Sequence, residues 1–185
     1  MKKIDMLDIK IKENNGFIKT SEVVALNISR EYFREYINKR NLECVARGLY
    51  MSQDSWNDYF YVLQVRYPES IFSHETAQYL FDLAEREPTQ YTLTLKTGSD
   101  SRRLEKEGLK VYKIKKELFE IGLTTIKSPA NNELRVYNLE RTICDLVRNK
   151  KNIEIQEFQA ALKGYIRHKK KDYTFAANGK TLVMP

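Results

Sequence analysis

The chain has 185 residues, of which 32 are Lys or Arg and 25 Asp or Glu, giving a formal net charge of +7 and a pI near 9.2. That length fits one or two small domains, and a hydrophobic content of 42% belongs to a globular chain, not a disordered one. A basic balance favours an anionic partner, nucleic acid being the commonest. The opening MKKIDMLDIKIKENN is charged throughout, which excludes a signal peptide, and no apolar run approaches the ~20 residues that cross a bilayer, so a cytoplasmic location is expected.

From about Lys3 to Glu13, Ile4, Leu7 and Ile11 recur at helical spacing, and Gly16 ends the segment. Phe17-Ile18 is a short strand. Thr20 or Ser21 caps a second helix through Leu26, with Glu22 in its first turn; Asn27 suits a turn, and Ser29 caps a third helix to about Arg40. Cys44 to Met51 reads as two short strands around Arg47-Gly48. The polar stretch Ser52 to Ser55 marks a domain boundary, placing one domain at residues 1–54 and a second at 55–185.

Ser55 caps a helix from Trp56 to about Tyr67, stopped by Pro68. Ile71-Phe72 is a strand, and Ser73 caps a helix to about Ala84. Tyr91 to Lys96 alternates strictly, with Tyr91, Leu93 and Leu95 on one face, and reads as a strand. A short helix over Ser101 to Glu107 is closed by Gly108, a strand runs from Leu109 to Ile114, and a helix from Lys116 to Ile121 ends at Gly122. Thr124 to Lys127 and Glu133 to Tyr137 form a hairpin, followed by amphipathic helices over Leu139 to Arg148 and Ile155 to His168. The two cysteines, Cys44 and Cys144, sit in apolar patterned segments and read as buried free thiols, without zinc-ligand spacing.

The fold class is therefore α+β: an N-terminal winged helix-turn-helix followed by a mixed α/β domain. On a wheel of the Ser29–Arg40 helix, Phe33, Tyr36 and Ile37 fall together as the packing face. Glu31, Arg34, Glu35 and Asn38 lie opposite, flanked by Tyr32 and Lys39. Arg can contact guanine and Asn adenine in a major groove, while Ser29, Arg30 and the first-turn amides suit a phosphate. Lys19 and Thr20 precede the second helix, where backbone contacts are common in this motif, and Arg47 at the wing tip reaches a minor groove or a phosphate. The two carboxylates oppose binding to a polyanion: residues 1–55 hold ten basic and eight acidic side chains, so motif order and not charge carries this reading.

Five stretches in order, GFIKTSEVVALNISREYFREYI, ECVARGLYM, LQVRYPESIFSHETAQYLFDL, RVYNLERTICDLVRN and IQEFQAALKGYIRHK, together cover nearly all of residues 14–171. In these the chain resembles the AbiEi family, antitoxins of the abortive-infection E system, a type IV toxin–antitoxin pair. The resemblance implies a winged-helix DNA-binding domain joined to an α/β antitoxin domain. It implies repression of the protein's own operon through inverted repeats in the promoter. It also implies that the protein counters a nucleotidyltransferase-like toxin, with no stable complex required. After His168-Lys169-Lys170-Lys171 the chain departs from that pattern: DYTFAANGKTLVMP lacks helical periodicity.

Other residues invite chemistry. His74, at a helix start with no nucleophile placed near it, reads as structural and held by a backbone or carboxylate hydrogen bond; His168 reads as solvated. Gly98-Ser99-Asp100 resembles the start of a nucleotidyltransferase site, but the paired carboxylates that clamp two cations do not follow, and Thr94 stands where a nuclease needs an acid. Lys96, Arg102, Arg103, Lys106, Lys110, Lys113, Lys115 and Lys116, against three acids, make a candidate second nucleic-acid surface; Arg167 and Lys169 to Lys171 form another cluster. Arg135, Glu140, Arg141 and Asp145 form a charged side, with Arg141 and Asp145 spaced for a local helical pair.

The reading is thus a DNA-binding antitoxin and autorepressor without catalysis, cofactor or metal, with two copies on the half-sites of an inverted repeat and no stable dimer in solution required, so that a monomer there is compatible with it. The alternatives are a one-component winged-helix regulator with a ligand-sensing second domain, and a nucleic-acid-processing enzyme with metal-dependent turnover.

Overall fold

The computed structural model describes residues 2–84, 86–153 and 155–167. It is mixed α+β, with eight α-helices and two sheets among those residues. The chain divides into two compact units. Of the described residues, the first takes those up to 70 together with 125–135, and the second takes those of 71–124 and 136–167. His168, Lys169, Lys170, Lys171 and the segment from Asp172 to Pro185, on which expectations were placed above, lie outside the described residues.

In the first unit, α1 (Lys3–Glu13) buries Leu7 completely and begins where Asp5 accepts the Lys2 amide at 3.2 Å. Gly16, at φ +92°, turns the chain into β1 (Phe17–Lys19). α2 (Thr20–Ala25) starts differently from expectation. Its own Glu22 reaches back to the Lys19 amide at 2.7 Å, so neither Thr20 nor Ser21 is the cap. Asn27, at φ +55°, makes the turn to α3 (Arg30–Arg40), where the Tyr32 amide, the last first-turn donor without a partner inside the helix, donates to the Ser29 hydroxyl. β2 (Glu43–Ala46) and β3 (Leu49–Met51) follow, and the three strands pair in the order β1-β3-β2. Leu7, Ile18, Val23, Ile28, Phe33, Tyr36 and Leu42 form one core between the helices and the sheet.

α4 (Tyr59–Arg66) begins three residues later than Trp56. The buried Asp58 carboxylate accepts the Tyr61 amide at 3.1 Å and so outcompetes Ser55, whose amide is spent in a turn to the Ser52 carbonyl. Val62 of this helix packs with Phe17, Ala46, Leu49 and Met51. The tip of a later hairpin completes the unit. Ser128 and Asn132 donate their side chains to Asp58 Oδ2, the latter at 2.8 Å, and the Arg135 amide donates to Gln64 Oε1 at 2.9 Å.

A five-stranded sheet takes β4 (Ile71–Phe72), β5 (Thr92–Lys96), β6 (Lys110–Ile114), β7 (Leu123–Lys127) and β8 (Glu133–Tyr137) in the order β6-β5-β4-β8-β7; β4, β5 and β6 belong to the second unit, and residues 125–127 of β7 and 133–135 of β8 belong to the first. β4 runs antiparallel to β5 and parallel to β8, and β5 is parallel to β6. The segment that follows β4 lies on one face of β5: the Thr76 amide donates to the Thr92 hydroxyl at 3.0 Å, and the Thr94 hydroxyl donates to that of Ser73 at 2.8 Å. The expected polar face of β5 is accordingly covered: Thr92 and Thr94 are as buried as Leu93 and Leu95.

α5 (His74–Leu80) ends well before Ala84, where Asp82 takes φ +57°. Ser73 does not cap it by side chain. α6 (Arg102–Lys106) closes at Gly108, and only Lys116–Leu118 of the expected Lys116–Ile121 helix forms, as a single 3-10 turn. α7 (Leu139–Arg148) and α8 (Ile155–Arg167) match their periodicity. Among the described residues no helix is long and apolar enough to cross a membrane.

Candidate nucleic-acid interface

α3 is held from beneath and bare above. Phe33 and Tyr36 are buried, and Phe33 meets Tyr50 of β3 edge-on at 5.3 Å between ring centroids. Asp8 of α1 accepts both the Tyr36 hydroxyl and the Arg40 guanidinium. Burial first, and the Asp8 hydrogen bond second, push the Tyr36 phenol well above its usual range. Sequence reasoning missed this clamp, because Asp8 and its partners are 28 and 32 residues apart. It ties Arg40 to α1, on the side of α3 away from the open face.

The other sequence-predicted residues take these places. Ser29, Arg30, Arg34, Asn38, Lys39 and Arg47 are exposed; Lys19, Thr20 and Tyr32 are half-buried. Arg47 occupies the turn between β2 and β3, beside Gly48 at φ +74°. Thr20 closes onto that turn, its amide donating to the Gly48 carbonyl at 2.8 Å. Lys3 lies over the Tyr32 ring at 5.6 Å and Lys19 over Tyr61 at 5.3 Å. Lys19 shares a polar groove of about 580 Å³ with Lys127 and Arg135, but Glu13, Glu22 and Glu133 line it too, so it is not a uniformly cationic wall.

The second basic stretch is less free than its composition suggests. Lys110 donates to Glu75 at 3.1 Å, Lys96 lies 3.9 Å from Glu120 and over the Phe119 ring, Arg102 embraces Asp100, and Arg103 reaches Glu107 at 3.6 Å. The Arg102 hydrogen bonds hold the Asp100 carboxyl far below the ordinary carboxylate range. Lys106, Lys113, Lys115 and Lys116 are exposed and make no ion pair among the described residues.

His74 is buried as a neutral imidazole. Its Nδ1 contacts the Ser73 hydroxyl at 3.1 Å and its Nε2 the Asn149 amide at 2.9 Å, so its partners are a hydroxyl and an amide, not the backbone or carboxylate group expected. Since Asn149 can only donate through Nδ2, Nε2 accepts and Nδ1 carries the hydrogen. Burial, then the charges of Lys110, Arg141 and Arg148, lower the His74 pKa to about 3. Ser73 also accepts from the Thr94 hydroxyl at 2.8 Å, which accounts for a Thr at the position where a nuclease carries an acid.

Two further expectations need correcting. Arg141 and Asp145 form the expected helical pair, 2.9 Å apart, but as a buried pair and not as part of a charged side: Arg141 also donates to the Leu118 and Ile121 carbonyls at 3.1 and 3.0 Å. Burial pushes the Asp145 carboxyl up, and Arg141 opposes this. Cys44 is exposed at the sheet edge and Cys144 half-buried, so neither is a core thiol. An edge strand of a three-stranded sheet has a bare side that its sequence pattern does not disclose.

The chain matches no protein-family model and no curated protein.

Proposed function

We propose that the first unit is a winged helix-turn-helix, with α3 as the recognition helix and the β2–β3 turn as the wing. On this reading the protein is a cytoplasmic DNA-binding antitoxin that represses its own operon at inverted repeats and counters a nucleotidyltransferase-like toxin without a stable complex. One observation carries it: α3 buries Phe33 and Tyr36 and leaves Arg34, Asn38 and Lys39 exposed, with Arg47 exposed on the β2–β3 turn. A helix of 11 residues is about 16 Å long, enough to lie in a major groove and touch a few base pairs. Reading a longer site then takes two copies on adjacent half-sites. The antitoxin role rests on the resemblance of the five stretches quoted above.

Two measurements test this. Fluorescence anisotropy of the full chain on the duplex upstream of its reading frame should show binding that weakens with salt. Arg34→Ala with Arg47→Ala should lower both affinity and salt slope, the slope by about 0.9 for each phosphate no longer neutralised. Unchanged values would remove the DNA-binding reading. Co-expression with the product of an adjacent nucleotidyltransferase-like gene should restore growth. Continued toxicity at full antitoxin expression would remove the antitoxin reading and leave the regulator.

A further inference from the structure

The outer face of α3 has an order of charge that its composition does not convey. At about 100° per residue, Glu31, Asn38 and Glu35 fall within about 60° of one another, diametrically opposite the buried Phe33 and Tyr36. Arg34 borders this centre on one side, with Arg30 beyond it, and Lys39 borders it on the other. All six side chains are exposed. Although Glu31 and Glu35 stand three and one residues from Arg34, neither pairs with it, and no ion pair involves these three among the described residues. Cations thus flank the face, and two free carboxylates with one amide occupy its middle.

In a major groove the flanks of a recognition helix meet the phosphate walls and its centre meets base edges. A carboxylate there is repelled by the polyanion wherever it finds acceptors, namely guanine O6 and N7 or thymine O4. Adenine offers a donor beside an acceptor. Cytosine is the one base whose own major-groove edge carries a donor and no acceptor, the guanine O6 of its pair lying on one side of N4 only, so a carboxylate is repaid there and penalised elsewhere.

We propose that Glu31 and Glu35 are the specificity-determining residues of this helix. They accept cytosine N4 amino groups, so that the half-site carries C·G pairs under the helix centre and all other duplex is rejected electrostatically. The inference rests on the winged-helix reading above. It explains how a unit with nearly balanced charge avoids indiscriminate binding: the flanking cations supply attraction, and the central acids withhold it from non-cognate sequence. Asn38 would then read an adenine one turn further along.

The test is selection from a randomised duplex library with the full chain, comparing wild type with Glu31→Gln, Glu35→Gln and the double variant. All are exposed isosteric changes, and thermal melts verify the fold. Wild type should enrich sites with fixed cytosines. Each Gln variant should lose roughly tenfold or more of the preference for one cytosine and shift it toward adenine, which Gln contacts bidentately. The double variant should also bind random duplex several-fold more tightly. If the variants bind duplex with the wild-type base preference and the wild-type affinity for random sequence, this inference is overturned and the winged-helix reading stands. If the wild-type chain binds no duplex at any salt concentration, both are overturned.

Discussion

The imidazole of His74 lies flat on the phenol of Tyr112, ring centroids 3.6 Å apart and planes 13° from parallel. The stack seals a histidine whose backbone is itself left-handed, at φ +48°, so the position combines burial, contact and an uncommon conformation. In the unfolded chain that imidazole takes a proton near pH 6.5; in the fold it does so only near pH 3. The unfolded state therefore binds more protons between those values, and stability falls as pH falls through the window.

Urea unfolding between pH 7.5 and 5 should show this as a loss of up to about 1.4 kcal/mol per pH unit below 6.5. His74→Asn, which tolerates the left-handed backbone, should flatten the dependence while costing about 1–2 kcal/mol at pH 7.5. Equal slopes in the two proteins would show that His74 is already protonated in the fold.

Removing one member of the Arg141–Asp145 pair leaves a buried charge alone. Arg141→Met should cost about 3–5 kcal/mol by thermal or urea unfolding, because the Leu118 and Ile121 carbonyls lose their donor as well. Adding Asp145→Leu should recover much of that loss. A double variant as unstable as the single one would mean that Asp145 is not the partner that matters.

Asp58 gathers three donors, from Tyr61, Ser128 and Asn132. Asp58→Ala should destabilise by about 2–3 kcal/mol, more than a simple cap loss, and should couple to Ser128→Ala in a double-mutant cycle. Additive effects would separate the cap from the hairpin tip.

Gly122 and Gly108 have nearly the same backbone, φ +77° and +81°, in different surroundings. An added Cβ at Gly122 would stand 2.6 Å from Arg141 Cβ; at Gly108 it would meet nothing within 4 Å. Gly108→Ala should cost about 1–2 kcal/mol from backbone strain alone, and Gly122→Ala clearly more. Equal costs would deny the close approach of Arg141.

What was legible in the sequence was local. Ser29 as a cap, Asn27 as a turn residue and the span of α3 follow from interactions within a few residues, and so did the outward face that nominates Arg34, Asn38 and Lys39. What was not legible depended on distant chain. Asp58, fixed in place by the distant Ser128 and Asn132, displaced Ser55 as the start of α4; Thr92 and Thr94 were covered by Ser73 and Thr76 at the start of α5; and Asp8 took Arg40 across 32 residues. A periodicity records which side of an element is apolar; it does not record which neighbour arrives on the polar side.

The Asp58 cluster also has a consequence for synthesis. Its donors Ser128 and Asn132 lie beyond the 54 residues from Ile71 to Thr124, so the first unit is not finished when its first 70 residues leave the ribosome. At about 5–20 residues per second, roughly 3–13 s pass before Arg135 is added. A nascent chain carries that carboxylate uncovered for the interval, and a gene fragment stopping at Ser70 would carry it so permanently.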